Sequence, residues 1–131
     1  MWTRFMDMHS GGELKEKQQY IYIEAPEEEA KVIFYNRFGH NPERVTCTCC
    51  GQDYSIGEYK TLNEATAYER GCAWDREKKC YVEKQDKQSL FHKYITLSEY
   101  KEAKDVLIIY KKNIKPEEKE GEVPVQGYVW K

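Results

Sequence analysis

Apolar and polar positions alternate with a period of two at the start of the chain. Trp2, Arg4, Met6 and Met8 fall on one face and Thr3, Phe5, Asp7 and His9 on the other, which predicts a strand over residues 1–9 that ends at Gly11-Gly12. Gln19-Tyr20-Ile21-Tyr22-Ile23-Glu24 interleaves aromatic and branched residues and predicts a second strand. The period then changes. Pro26 suits a first helical position, and Glu27, Glu28 and Glu29 set acids at the positive end of a helix dipole. Ala30, Ile33, Phe34 and Phe38 form one stripe, and Gly39 can close the helix in a left-handed turn, so a helix is predicted over 26–38.

Beyond Asn41-Pro42 the elements are shorter. Arg44-Val45-Thr46 reads as a short strand. Thr61-Leu62-Asn63-Glu64 is a capping box, in which a hydroxyl and a carboxylate satisfy the orphan amides of a helix start, here over roughly 62–70 with Gly71 as its stop. Strands are expected at 79–83 and 91–95. Thr96-Leu97-Ser98-Glu99 repeats the capping box before one or two helical turns, and Val106–Tyr110 is a further strand. Residues 112–122 have no helical period and read as a solvated, flexible segment, with Tyr128-Val129-Trp130 as a terminal edge strand. Strands and short helices mix without regular β-α-β spacing and without internal repeat. The expectation is one α+β domain over 1–131, with a small, mainly antiparallel sheet and two or three short helices.

Chemistry is concentrated in Cys47-Thr48-Cys49-Cys50-Gly51. Two thiolates three residues apart in a tight turn can both reach one zinc ion at about 2.3 Å. The following glycine permits the backbone to fold toward the sulfurs. This zinc knuckle is half of a tetrahedral site, and Cys72 and Cys80 are the remaining thiols to complete it. Cys49, His40 and His92 are alternative ligands. A site of four thiolates is closed to substrate, so such a zinc would staple the fold and not catalyse.

Other polar groups define a second set of candidates. Asp7 and His9 share a strand face next to two glycines, where a ligand can approach the backbone. Arg37, His40 and Arg44 concentrate donors at the end of the first helix, suited to an anion or a partner's acidic side chain. Phosphate-loop, dinucleotide and nucleophile-elbow signatures are not found, and nothing names a reaction.

Composition narrows the setting. The 131 residues carry a formal charge of −2 with acids and bases interspersed, which disfavours non-specific binding to nucleic acid or anionic lipid. Five cysteines leave one thiol over from any complete disulfide set, and in a reducing compartment close cysteines favour metal. Eleven tyrosines and three tryptophans suit a core of aromatic anchors or a contact surface. The start lacks the charged flank and apolar run of a secretory signal, and no apolar stretch approaches membrane-spanning length, so a soluble cytosolic protein is expected.

Taken together, MWTRFMDMHSGG, YIYIEAPEEEAKVIFYNRFGHNPERVTCTCCGQDYS, ATAYERGC, HKYITLSEY, DVLIIYKKNIKPEE and VPVQGYVW resemble a family of small accessory proteins of tailed phages and prophages of Gram-positive bacteria. The resemblance covers nearly the whole chain. It implies a product made in the cytoplasm of the infected host, and a non-enzymatic inhibitor of a bacterial host factor or defence system. The partner would be a host protein or a nucleotide ligand such as a signalling messenger, with no membrane involved. The alternative, drawn from the knuckle with Arg44 upstream of it, is a nucleic-acid-binding zinc module.

Overall fold

The computed structural model of the protein describes residues 1–8, 18–44, 52–71, 73–77, 79–82 and 95–123, and for 73–75 and 80–82 it describes the backbone alone. The architecture is α+β: one four-stranded mixed sheet, a separate two-stranded ribbon and three helices among the described residues. The strands are β1 (Trp2–Asp7), β2 (Tyr20–Ile23), β3 (Tyr54–Tyr59), β4 (Ala73–Asp75), β5 (Cys80–Val82) and β6 (Val106–Ile109). The helices are α1 (Glu27–Phe38), α2 (Leu62–Thr66) and α3 (Leu97–Lys101).

The main sheet has the order β3-β1-β2-β6. β1 is antiparallel to both β2 and β3, with Phe5 opposite Ile21 and Ile56, while β2 and β6 run parallel with Ile21 opposite Leu107. The mainly antiparallel sheet expected from the sequence is therefore present, with one parallel pair at its β6 edge. β4 and β5 form a hairpin that sets Asp75 opposite Cys80.

The alternation of β1 and β2 gives the sheet two apolar faces, and each is covered. On one face Phe5, Ile21, Ile23, Tyr54 and Ile109 pack with Ala30, Ile33 and Phe34 of α1. Phe34 is fully buried, and its ring lies 4.7 Å from Phe5 and 4.9 Å from Tyr54 by centroids. On the other face Trp2, Tyr22 and Val106 pack with Leu62 and Ala65 of α2 and Tyr100 of α3. Covering both faces removes most of the apolar surface of a small sheet from water, the dominant favourable term in folding.

Most helix signals act as read, but Pro26 stands at the N-cap and not at the first helical position, and Thr61 with Glu64 forms only the hydroxyl half of its capping box. α1 carries its three glutamates in the first turn and closes at Gly39 with φ 81°, whose amide donates to the Tyr35 carbonyl. Thr61 and Thr96 accept from the amides of Glu64 and Glu99, and Thr96 with Glu99 completes the reciprocal box. α2 is shorter than expected: regular helix ends at Thr66, turns continue to Gly71, and Gly71 has φ 79°.

Two described segments differ from the sequence reading. β3 was not anticipated, and Gly57 near its middle explains why, since a strand-interior glycine weakens the pattern. The glycine has a packing reason: a Cβ there would meet the Tyr59 ring at 3.2 Å. In and just before 112–122, the stretch Lys111–Asn113 and the stretch Pro116–Lys119 are 3-10 turns, and the second lies against α1. The strands expected at 128–130 and over most of 91–95 and 44–46 lie outside the described residues.

Candidate functional site at one end of the sheet

Chain direction brings several candidate residues to one end of the sheet. β1 ends there, β2, β3 and β6 begin there, and the segment after α1 crosses beside them. Backbone hydrogen bonds tie these ends together. Asp7 N–H donates to Gln19 O at 2.9 Å, Met8 N–H to Asp53 O at 2.9 Å, and Tyr20 N–H to Asp105 O at 3.0 Å. From the other side, Tyr54 N–H donates to Pro42 O at 3.2 Å and Asp53 N–H to Arg44 O at 2.7 Å. Asn41 organises the approach: its side-chain oxygen accepts from the Glu43 amide at 2.8 Å, and its carbonyl accepts from Arg44 N–H at 3.1 Å.

The important pair is Arg44 and Asp53. Besides their backbone bond, Arg44 Nε donates to Asp53 Oδ2 at 3.3 Å, and the Asp53 side chain is buried while that of Arg44 is 40 % exposed. These residues bracket the cysteine motif, with Cys47 three positions after Arg44 and Cys50 three before Asp53. The ends of the intervening stretch are thus held in contact by the sheet. Closing a loop costs entropy that grows with its length, and here closure is enforced by described contacts outside the loop.

His40 lies against the same end. Its ring stacks on Tyr54 at 6.0 Å and meets the Phe34 ring edge-on at 5.4 Å, so it is partly buried in an aromatic wedge. Asp7 is 2 % exposed and sits opposite Tyr54 in the ladder. Arg37 faces elsewhere: Nε and Nη2 donate to the two carboxylate oxygens of Glu118 at 2.8 and 2.9 Å, and Nη2 also donates to Asn113 O at 3.1 Å. This fork holds the Glu118 carboxyl at about 2, well below its ordinary range, with the Arg37 hydrogen bond as the main cause. The structure therefore brings Asp7, His40 and Arg44 to one end of the sheet and places Arg37 against the 3-10 turn.

His9, Cys47, Cys49, Cys50, Cys72 and His92 lie outside the described residues, as does the side chain of Cys80. Among the described residues no group of three histidine, cysteine or acidic side chains is placed to hold a metal ion. α2 begins beside Trp2 at the far end of β1, and the chain then passes Arg4, where Glu69 is bound, before reaching Gly71.

A second constellation escaped the sequence reading. Arg4 Nη1 lies 2.9 Å from Glu69 Oε1, with side-chain exposures of only 14 % and 6 %. Tyr22 and Tyr100 share a hydrogen bond at 2.7 Å between their hydroxyls on the same face. Burial pushes the Glu69 carboxyl up and Arg4 opposes it. Burial likewise raises the Tyr20, Tyr22 and Tyr100 phenols, so all three are neutral at ordinary pH. Among the described residues Glu69 Oε2 is buried without a hydrogen-bond partner, and it is the Arg4–Glu69 pair that fastens β1 to the segment after α2. Arg4 and Glu69 are far apart in sequence, and no local pattern signals their pairing.

Comparison with family models, curated proteins and solved structures finds no match for the chain. No helix among the described residues is long and apolar enough to cross a membrane.

Proposed function

We propose that the protein is a zinc-stapled, non-enzymatic binding protein of phage origin. Its working surface is the end of the sheet where His40 and Arg44 are accessible and Asp7 is buried, and its target is a bacterial host factor, either a defence effector or a nucleotide signal. The observation that carries this reading is the clamp between Arg44 and Asp53. It closes the base of the stretch containing Cys47 and Cys50, so metal binding there has little loop-closure entropy left to overcome. Cys72 and Cys80 are the candidates for completing the tetrahedron, with Cys49, His40 and His92 as alternatives. A bacterial target follows from the resemblance to phage accessory proteins.

The Arg44–Asp53 ion pair favours a protein or small-ligand partner over nucleic acid, because the arginine upstream of the knuckle has its charge offset within the chain. Capture of partners from infected host lysate, with metal measured on the same material, tests the proposal. One zinc per chain and a stoichiometric complex with a host component are expected. Metal-free native protein, or absence of any host partner together with normal growth of phage lacking the protein on defended hosts, would remove it.

A further inference from the structure

The β6 edge carries features that neither the cysteines nor the clamp explain. In a parallel ladder, alternate residues of a strand direct both backbone groups to the same neighbour. Tyr20 donates to Asp105 O and Glu24 to Ile109 O, and Tyr20 lies opposite Val106, so Leu107 and Ile109 spend their backbone groups on β2. Val106, Ile108 and Tyr110 direct theirs outward. The Val106 amide is taken by Ala103 O at 3.3 Å, and the Tyr110 carbonyl accepts from Asn113 at 2.8 Å. Among the described residues the Ile108 amide and carbonyl pair with nothing, and no described strand lies beyond β6.

The fringe of this edge is cationic. Lys101, Lys104, Lys111, Lys112 and Lys115 are all exposed, against the acids Glu102 and Asp105 over the same stretch. Lys101 Nζ and Lys112 Nζ lie 5.6 and 5.8 Å from the centroid of the half-buried Tyr110 ring, so two ammonium groups stand over the residue that follows β6. An open edge is a template for any extended chain, and lysines on it repel a second copy of the same edge. The same charges attract an acidic strand.

We infer that the outer edge of β6 is a docking site for an extended acidic peptide segment of a partner protein, which adds as a strand beside Ile108 with carboxylates near Lys101 and Lys112. The site holds whether or not the cysteines bind zinc, since it rests on β6, α3 and the residues that follow.

Fluorescence anisotropy on the full chain tests this with a labelled octapeptide of alternating glutamate and valine and a lysine–valine peptide of the same length as control. The acidic peptide is expected to bind and the basic one not, with affinity falling several-fold between about 50 and 300 mM salt. Ile108→Pro removes an outward amide without touching the ladder to β2, and is expected to weaken binding at least tenfold. Should that variant fail to fold, Lys101→Glu with Lys112→Glu, both at exposed positions, decides in its place through loss of binding. Equal affinity of wild type and either folded variant, no binding of the acidic peptide, or a wild-type dimer that Ile108→Pro dissolves would overturn the inference.

Discussion

Phe34 is where the most structure depends on one side chain. It touches Phe5, Phe38, Tyr54 and His40, and so joins α1 both to the sheet and to the end that carries Arg44. Phe34→Ala is expected to lower stability by about 3–5 kcal/mol, read as a fall in the urea midpoint, because a cavity adds to the lost transfer energy. Glu118 gives a pH dependence with a definite sign. Its folded-state value of about 2 lies below the ordinary 4.5, so it contributes stability that is present above 4.5 and lost as pH falls toward 2. The stability difference between wild type and Glu118→Gln should therefore shrink on acidification through that window, and a constant difference would contradict the Arg37 fork. Glu69 acts in the opposite sense: its raised value makes the folded state bind the proton more tightly, so its contribution falls as pH rises above 4.5. Glu69→Ala leaves Arg4 enclosed without its partner and should cost about 3 kcal/mol in the same denaturation experiment.

At the scale of elements, α2 and α3 are too short to persist alone, so their caps and buried contacts decide whether they form. Thr96→Ala removes the hydroxyl half of a capping box, leaving the backbone amide of residue 96 to donate to Glu99, and is expected to cost roughly 1 kcal/mol; a loss of the Tyr22–Tyr100 hydroxyl contact, seen in the tyrosine ring resonances, should accompany it. These helices were legible because a cap lies within four consecutive residues. α1 was legible for the same reason, with acids, stripe and terminal glycine all local, and the structure moves its start by a single residue. β3 was not, because Gly57 breaks the alternation for the sake of a ring two residues away. The second 3-10 turn was read as solvated since its lysines and glutamates carry no period. It is held by long-range contacts instead: Arg37 to Glu118, and Asn36 to the carbonyls of Glu118 and Glu120 at 2.7 and 2.9 Å.

For the whole molecule the decisive question is how the two covered faces and the clamped end act together. The proposed staple would tie the stretch bracketed by Arg44 and Asp53 to the chain that follows α2, linking the two sides of the sheet. Chelation should then lower the thermal midpoint, and Cys47→Ser with Cys50→Ser should lower it equally and abolish the response to chelator. An unchanged midpoint in both would show that the packed faces suffice. Chain-local information determined the class of fold, the long helix, both capped helices, the two faces of β1 and the cysteine spacing, since each depends on residues a few positions apart. The tertiary structure alone decided that β6 lies parallel to β2, that Arg44 meets Asp53 across the cysteine motif, that Arg37 turns to Glu118, and that Arg4 meets Glu69. Those outcomes depend on which distant segments bury each other's surface most completely, and the free energy that selects among them is a property of the packed whole.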